Sequence, residues 1–223
     1  MQHLLGNIKI SIPDKIYIKD PETSELGKKI LEHSILLIDE IGFENFTFKK
    51  LGLRINSNES SIYRYFESKH KLLLYLTSWY WSWLEYQLVI ETYSIQNQLT
   101  KLEKVIEVVT RAVTKDSNFT HINEILLYKI IVNEGPKSYL TKNVDAENKE
   151  GYFTVYKRLI SRIQETITSI HPKYPYALSL ASTLLEGAIH QHYLKEHFPT
   201  LTSADSETSI TQYFNQLVKN AIK

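Results

Sequence analysis

The residues with the clearest chemical potential lie between Thr47 and Lys69, in the sequence TFKKLGLRINSNESSIYRYFESK. Basic, hydroxyl and aromatic side chains alternate here with apolar residues at helical spacing. Across residues 49–71 the cations outnumber the acids: Lys49, Lys50, Arg54, Arg64, Lys69 and Lys71 stand against Glu59 and Glu67. Because the whole chain carries a net charge of only +1, contact with nucleic acid would have to come from such a local patch.

The same stretch has the pattern of two short helices joined by a tight turn. The apolar positions that set this pattern are Phe48, Leu51 and Ile55, followed by Ile62, Tyr65 and Phe66. Asn56 stands at the reversal, where asparagine tolerates a left-handed backbone, and Ser57 or Asn58 can cap the second helix. The spacing therefore predicts a helix-turn-helix whose second helix suits a DNA major groove.

The end of this stretch, IYRYFESKHKLL, resembles the LYxYFxSKxxLL signature of the TetR family of transcription regulators. Thr47 at the start of the first helix and Gly42-Phe43 before it also fit the family pattern, and the resemblance covers about residues 24–74. It implies an all-α protein with an N-terminal three-helix, helix-turn-helix DNA-binding head and a C-terminal helical effector and dimerisation domain.

The resemblance also implies which residues contact DNA. They are Thr47, Lys49, Asn58, Glu59, Ser60, Ser61, Tyr63, Arg64, Tyr65 and Lys69. Thr47 and Lys69 would hold phosphates, whereas Glu59, Ser60 and Ser61 would face the bases. Tyr65 has the alternative of a core position, and Arg64 that of a solvated one.

Two features depart from the family pattern. Asn56-Ser57 replaces the usual Gly-Val turn, so we expect looser packing there. Glu59 places an acid near phosphates, which lowers affinity but can accept a hydrogen bond from a cytosine amino group.

Composition narrows the class of protein. The 223 residues include no cysteine, which excludes disulfides and thiolate metal sites, and only 7 glycines and 6 prolines, which favours long helices. No signal peptide is visible, and we expect a cytoplasmic protein without a membrane partner. The apolar segment from Leu72 to Ile90 is interpreted as a buried helix because polar residues dilute it.

We expect three regions along the chain: an arm over 1–20, the DNA-binding head over 21–70 and the effector and dimerisation domain over 71–223. Isoleucines alternate around Pro13-Asp14, which indicates a short β-hairpin in the arm, with a minor-groove-reaching arm as the alternative. Asp20-Pro21 then marks the start of a helix that Gly42 ends. Further helices are predicted at about 69–92, 102–113, 121–134, 152–170, 176–195 and 205–222, with a turn at 115–118.

The C-terminal region contains two further candidate sites. Aromatic residues that could line a pocket for an apolar or aromatic effector are Trp79, Trp83, Tyr86, Tyr128 and Tyr156, which plain core packing would also explain. By the resemblance, the last two helices form a dimer interface through Ala177, Ala181, Leu184, Leu185, Ala188, Tyr213, Phe214 and Leu217. The alternative for these residues is the protomer's own core.

The sequence contains no G-x-G loop, no H-E-x-x-H and no paired Glu-x-x-His, so we expect neither an enzyme nor a cofactor or metal site. The prediction is a homodimeric regulator that binds a near-palindromic double-stranded DNA operator, a repressor that a small-molecule effector relieves. The alternative is a helical ligand-sensing or scaffold dimer with weak or no DNA binding.

Overall fold

The computed structural model describes residue 10 and residues 12–114, 121–206 and 208–223, and within these ranges the regular structure is helical. The α-helices, in chain order, are α1 Glu25–Asn45, α2 Phe48–Arg54, α3 Glu59–Tyr63, α4 Lys69–Thr92, α5 Gln98–Thr110, α6 Glu124–Glu134, α7 Val144–Lys149, α8 Thr154–Ile170, α9 Ala177–His197 and α10 Ser209–Ala221. The all-α prediction is confirmed, and α7 adds a short helix between the predicted helices at 121–134 and 152–170. The predicted turn at 115–118 lies outside the described residues.

The chain divides into two compact units. One contains the described residues up to Tyr80 together with those of Val113–Thr154, and the other contains Trp81–Ala112 and Val155–Lys223. α6 and α7 therefore belong to the same compact unit as the helix-turn-helix. The functional division into head and effector domain stays a prediction.

The predicted hairpin in the arm is not formed by the described residues. Asp14–Ile16 is a 3₁₀ turn, and the N–H of Ile18 donates to the carbonyl of Tyr65 at 2.8 Å instead of to a neighbouring strand. Ile16 is buried while Ile18 is 65% exposed, so the two do not share one face. The turn at Pro13 and docking against the head decide this conformation, and residues 1–9 and 11 lie outside the described ranges.

The start of α1 also corrects a prediction. Asp20 and Pro21 begin a separate 3₁₀ turn, Pro21–Thr23, and the side chain of Ser24 caps α1 by accepting from the N–H of Gly27 at 3.1 Å. At its other end, α1 is interrupted at Gly42, whose φ of 74° is a left-handed value that favours glycine. The predicted break at Gly42 is confirmed, and one further turn of helix follows it.

The helix-turn-helix consists of α2, a tight turn and α3. Thr47 caps α2 and Asn58 caps α3, while Asn56 at the turn has the left-handed φ of 53° that its residue type predicted. The inner faces are closed by Phe48, Leu51 and Ile62, which are at most 3% exposed. Burial of apolar side chains of this size contributes about 1.5–3 kcal/mol each.

The turn at Asn56-Ser57 packs more closely than its departure from the family pattern led us to expect. The N–H of Ser57 donates to the carbonyl of Gly52 at 2.8 Å, and a Cβ added to Gly52 would lie 2.7 Å from the carbonyl oxygen of Ser57. The expected loose packing is therefore wrong, because Gly52 lets the turn approach α2 directly.

In the second unit, α9 and α10 pack against each other and both pack against α5. Gly187 on α9 lies against Phe214 on α10, where an added Cβ would come 2.9 Å from the ring. Within the described residues, no helix is long and apolar enough to cross a membrane.

Replacing Gly52 by alanine should lower the free energy of unfolding by about 1–3 kcal/mol, because the new methyl group overlaps a backbone oxygen that cannot move alone. Chemical denaturation measures this loss. Gly135→Ala is the matched control, since its Cβ would meet nothing closer than 3.6 Å, and we expect a change within about 0.5 kcal/mol. Equal stabilities for the two variants would contradict the close approach.

Candidate nucleic-acid interface

The start of α3 presents a small polar surface organised by Asn58. Its side-chain oxygen accepts from the backbone N–H of Ser61 at 3.0 Å and from the hydroxyls of Ser60 and Ser61 at 2.9 and 2.6 Å. The two hydroxyl hydrogens are therefore used within the helix end, and the serine oxygens keep their acceptor capacity. Toward DNA these residues suit donors such as an amino group on a base edge.

Tyr63 and Glu59 form the next turn of the same surface. The Tyr63 ring is 47% exposed and packs edge-on against Phe48, with ring centroids 5.0 Å apart. Its hydroxyl lies 3.4 Å from a Glu59 carboxylate oxygen, at the long end of hydrogen-bond distances. Phe48 thus holds the tyrosine in an exposed position, and Glu59 keeps its other oxygen free to accept.

The basic residues around α3 are not equivalent. Lys49 and Arg64 are exposed and make no side-chain hydrogen bond or ion pair with any residue that the structure describes. Arg54 is bound by both oxygens of Glu40, and Lys50 donates to the carbonyl of Asn45 at 2.8 Å. Lys49 and Arg64 are therefore the cations best placed to meet a phosphate.

Thr47 is exposed at the start of α2, and its oxygen accepts from the N–H of Lys50 at 3.2 Å. Its hydroxyl hydrogen remains available to donate. The cap and the predicted phosphate contact are compatible, because one hydroxyl can accept and donate at the same time.

The position of Tyr65 corrects the prediction that its side chain contacts DNA. Only 3% of its surface is exposed, and its hydroxyl lies 2.7 Å from that of Ser24 at the start of α1. The ammonium of Lys19 lies over its ring, 5.2 Å from the centroid. The structure therefore places Tyr65 in the core of the head, where it joins α1 to the end of α3, instead of on the DNA-facing surface.

Lys69, the predicted phosphate clamp, has a different role in this structure. Its ammonium donates to the carbonyls of Phe43, Glu44 and Phe46 at 3.0, 3.1 and 3.3 Å. These bonds use all three of its donors, and the ammonium also lies 4.8 Å from the centroid of the Phe43 ring. A contact with phosphate would require at least one of these bonds to break.

The break at Gly42 is held by a second side chain that sequence reasoning missed. A carboxylate oxygen of Glu134, at the end of α6, accepts from the N–H of Phe43 at 3.0 Å. Lys137 bridges Glu134 and Glu44 at 2.7 and 2.8 Å, and these bonds raise the pKa of Lys137. Nothing in the local pattern at Glu134 signals this contact, because its partner lies 91 residues away.

The aromatic residues predicted to form an effector pocket are divided between the two units. Trp79 and Tyr128 belong to the first, where Tyr128 stacks on Tyr80 with centroids 5.9 Å apart. Trp83, Tyr86 and Tyr156 belong to the second, where the hydroxyl of Tyr156 donates to Glu186. Their role as one pocket stays a prediction.

The predicted dimer-interface residues require a correction. Six of the eight are at most 3% exposed within the single chain. They are Ala177, Ala181, Leu184, Leu185, Ala188 and Phe214. Because α9 and α10 pack on α5 and on each other, these side chains form the protomer's own core. Tyr213 is 52% exposed and Leu217 is partly exposed, so of the eight these two keep surface for a partner.

Comparison with known proteins identifies the head. Residues 30–76 match the family described as bacterial regulatory proteins, tetR family. These residues are a TetR-family domain. The match contains the break at Gly42, both helices of the helix-turn-helix and the first part of α4, which agrees with the resemblance of residues 24–74. A search of curated proteins gave no match.

Solved structures extend the likeness beyond the TetR-family domain. AibR in complex with isovaleryl coenzyme A and operator DNA is 16% identical, with a TM-score of 0.55 over 87% of this chain and 98% of that chain. The superantigen PfiT is also 16% identical, with a TM-score of 0.56 over 92% of this chain and 96% of that chain. Identities this low establish a shared fold and carry neither a ligand nor a function from one protein to another.

Replacing Lys69 by methionine should lower the free energy of unfolding by about 1–3 kcal/mol, because it leaves three carbonyls at the end of α1 without their donor. Thermal or denaturant unfolding checks this. Lys49→Met removes the same charge from an exposed side chain without partners in the described structure and should change stability by less than about 0.5 kcal/mol. If both variants are as stable as the wild type, Lys69 does not act as a cap.

Proposed function

We propose that this protein is a transcription regulator that binds a near-palindromic operator as a homodimer, and that a small molecule relieves its repression. The observation that carries the proposal is the exposed surface of α3 on a TetR-family helix-turn-helix. Thr47, Lys49 and Arg64 flank this surface with one hydroxyl and two cations, while Tyr63 and Glu59 lie on it. Phosphate donors around a short helix with polar tips match the requirements of major-groove binding.

The short reading surface supports the proposal of a dimer. α3 spans only Glu59–Tyr63, so a single head reaches few bases and few phosphates. Two heads related by a two-fold axis double both sets of contacts and demand a near-palindromic site. Because most of the predicted interface residues are buried in the protomer, we assign the partner contact to the outward faces of α9 and α10, which include Leu178 and Tyr213.

The finer parts of the proposal concern regulation. AibR was solved with operator DNA and an acyl-coenzyme A compound together, so one protein of this fold holds both kinds of ligand. We propose an effector of this chain that lowers operator affinity, and a coupling of about 1–3 kcal/mol would change that affinity roughly 5- to 150-fold. The proposed role is regulatory and not enzymatic.

A ligand-sensing or scaffold dimer with weak DNA binding is the second candidate. Two observations favour it: Arg54 is neutralised by Glu40, and Glu59 places a carboxylate on the reading surface. PfiT, a protein of the same fold, is described as a superantigen, which illustrates that this fold serves more than one function. DNA binding separates the two candidates.

Titration of the protein with the DNA upstream of its own gene, at several salt concentrations, tests the regulator. We expect nanomolar-range binding at low salt and a steep linear loss of log affinity with log salt. Lys49→Met and Arg64→Met should each weaken binding to all sequences and reduce the salt slope by about 1. Fluorescence anisotropy gives both quantities.

Lys173→Met is the control for this titration, because Lys173 is an exposed lysine of the second unit and its loss should leave the slope unchanged. Absent binding, or binding that ignores salt, would rule out the regulator and favour the scaffold. If all three variants lose the same amount, the head is not the DNA-binding surface.

Glu59→Gln should change which bases are preferred more than how tightly DNA is held, because the carboxylate can accept from a cytosine amino group. Selection from a random DNA library, run in parallel on the two proteins, measures the preference. Glu67→Gln removes an exposed carboxylate just beyond α3 and should leave the selected sites unaltered. Identical sites for wild type and Glu59→Gln would show that Glu59 reads no base.

A further inference from the structure

In the second unit, one buried carboxylate is shared by two arginines. Glu85 on α4 is 7% exposed, and on α8 both Arg158 and Arg162 donate to it. Burial by itself would raise the pKa of Glu85, but the hydrogen bonds from the two guanidinium groups lower the pKa below its usual value. The cluster therefore holds two positive charges against one negative charge.

The two arginines use Glu85 differently. Arg158 donates through Nε at 2.8 Å to both oxygens and through Nη2 at 2.6 Å to one of them. Arg162 donates only through Nε, and its two terminal amino groups make no hydrogen bond to any described residue. Glu85 thus holds the Nε of Arg162, while its four terminal N–H donors make no bond to a described residue.

Arg162 is also part of the wall of a cavity of about 250 Å³ within the second unit. The cavity is lined by residues of α4, α5, α8 and the chain between α4 and α5, and these include Leu88, Val89, Tyr93, Lys101, Arg162 and Glu165. Arg158 is not among them. None of the five aromatic residues predicted for a pocket lines this cavity.

The charged residues of the cavity favour an anion. Arg162 and Lys101 supply two cations against the single carboxylate of Glu165, and the Lys101 ammonium forms no hydrogen bond or ion pair with described residues. A guanidinium fork with free terminal nitrogens matches the two oxygens of a carboxylate. Because Glu85 already holds the Arg162 group in place, little side-chain freedom is lost when an anion binds.

The apolar lining defines the rest of the ligand. Leu88, Val89 and Tyr93 supply apolar surface at the same cavity, and Val89 and Tyr93 are exposed. The volume lies just below the range of about 300–1,000 Å³ that drug-sized ligands occupy. We infer that the cavity is a binding site for a small organic carboxylate with a short hydrocarbon chain, which Arg162 and Lys101 hold by its charged end.

The inference that this cavity binds a carboxylate does not depend on the proposed function, whereas a role as the effector site rests on that function. The two statements are therefore tested separately. Failure of ligand binding would overturn the site, and ligand binding that leaves DNA affinity unchanged would overturn only its regulatory role.

The binding test is isothermal titration calorimetry of the full chain, without DNA, with acetate, butyrate and hexanoate as sodium salts at constant ionic strength. We expect butyrate to bind more tightly than acetate, because the apolar wall has no chain to contact in acetate. Arg162→Gln and Lys101→Gln should each weaken butyrate binding about tenfold or more. Inorganic phosphate, which has no hydrocarbon chain, should bind more weakly than butyrate.

Arg158→Gln is the matched control. It removes a second guanidinium from the same carboxylate and the same helix, but outside the cavity lining, so butyrate affinity should change less than twofold. If Arg158→Gln weakens binding as much as Arg162→Gln, the effect comes from disturbing Glu85 and the proposal is wrong. Lys101→Gln keeps the test decisive if Arg162→Gln does not fold, because the Lys101 ammonium forms no hydrogen bond or ion pair with a described residue. Absence of butyrate binding by the wild type at about 10 mM, a concentration that fills most of a site with a Kd of about 1 mM, would overturn the site.

Discussion

The geometry of the helix-turn-helix depends on how two charged side chains close the break in α1 at Gly42. A left-handed residue within a helix leaves backbone groups on both sides without their usual partners. Lys69 supplies donors to the carbonyls of Phe43, Glu44 and Phe46, and Glu134 supplies an acceptor to the N–H of Phe43. Since Lys69 begins α4 and Glu134 ends α6, this one break is bonded to the start of α4 and to the end of α6, both within the first unit.

This arrangement separates two kinds of residue in the head. The ammonium of Lys69 points toward the interior and donates all its hydrogen bonds to backbone carbonyls. Tyr65 is also in the interior, where its hydroxyl is bonded to that of Ser24. Lys49 and Arg64 lie on the outside, where their charged groups form no hydrogen bond or ion pair with a described residue. A cation that is already bound by protein groups must lose those bonds before it can bind a phosphate. A cation that is bound only by solvent does not have this cost.

In the second unit, too, charged side chains differ in how many of their hydrogen-bonding groups the protein already uses. Glu85 holds two guanidinium groups, and it accepts from two nitrogens of Arg158 but from only one nitrogen of Arg162. The partial use of Arg162 is what leaves donors at the cavity wall, and Lys101 approaches the same space from α5. The cluster of Glu85 with its two arginines is therefore both a structural link between α4 and α8 and, through Arg162, a candidate anion site.

Much of the fold followed from local pattern. Helical spacing, the caps Thr47 and Asn58 and the left-handed residues Gly42 and Asn56 depend on neighbours within a few positions, so the sequence indicates them directly. The predicted β-hairpin is not formed by the described residues, because alternating apolar residues are also compatible with a chain that packs on the head. There the N–H of Ile18 donates to the carbonyl of Tyr65. The alanines of α9 that we predicted at the dimer interface are buried within the protomer. Small residues allow close packing with any helix, and here the neighbouring helices are α5 and α10.

The sequence by itself determined the helical class, the helix-turn-helix and the TetR-family domain, because periodicity, capping and a short motif are local properties. Only the tertiary structure decided which of the motif's cations are free, which aromatic residues are buried and where a cavity lies beside Arg162. Those outcomes depend on partners far away in the chain, such as Glu134 for Phe43 and Glu85 for Arg162. A residue's type states what it can bind, and the fold decides whether that capacity is already used.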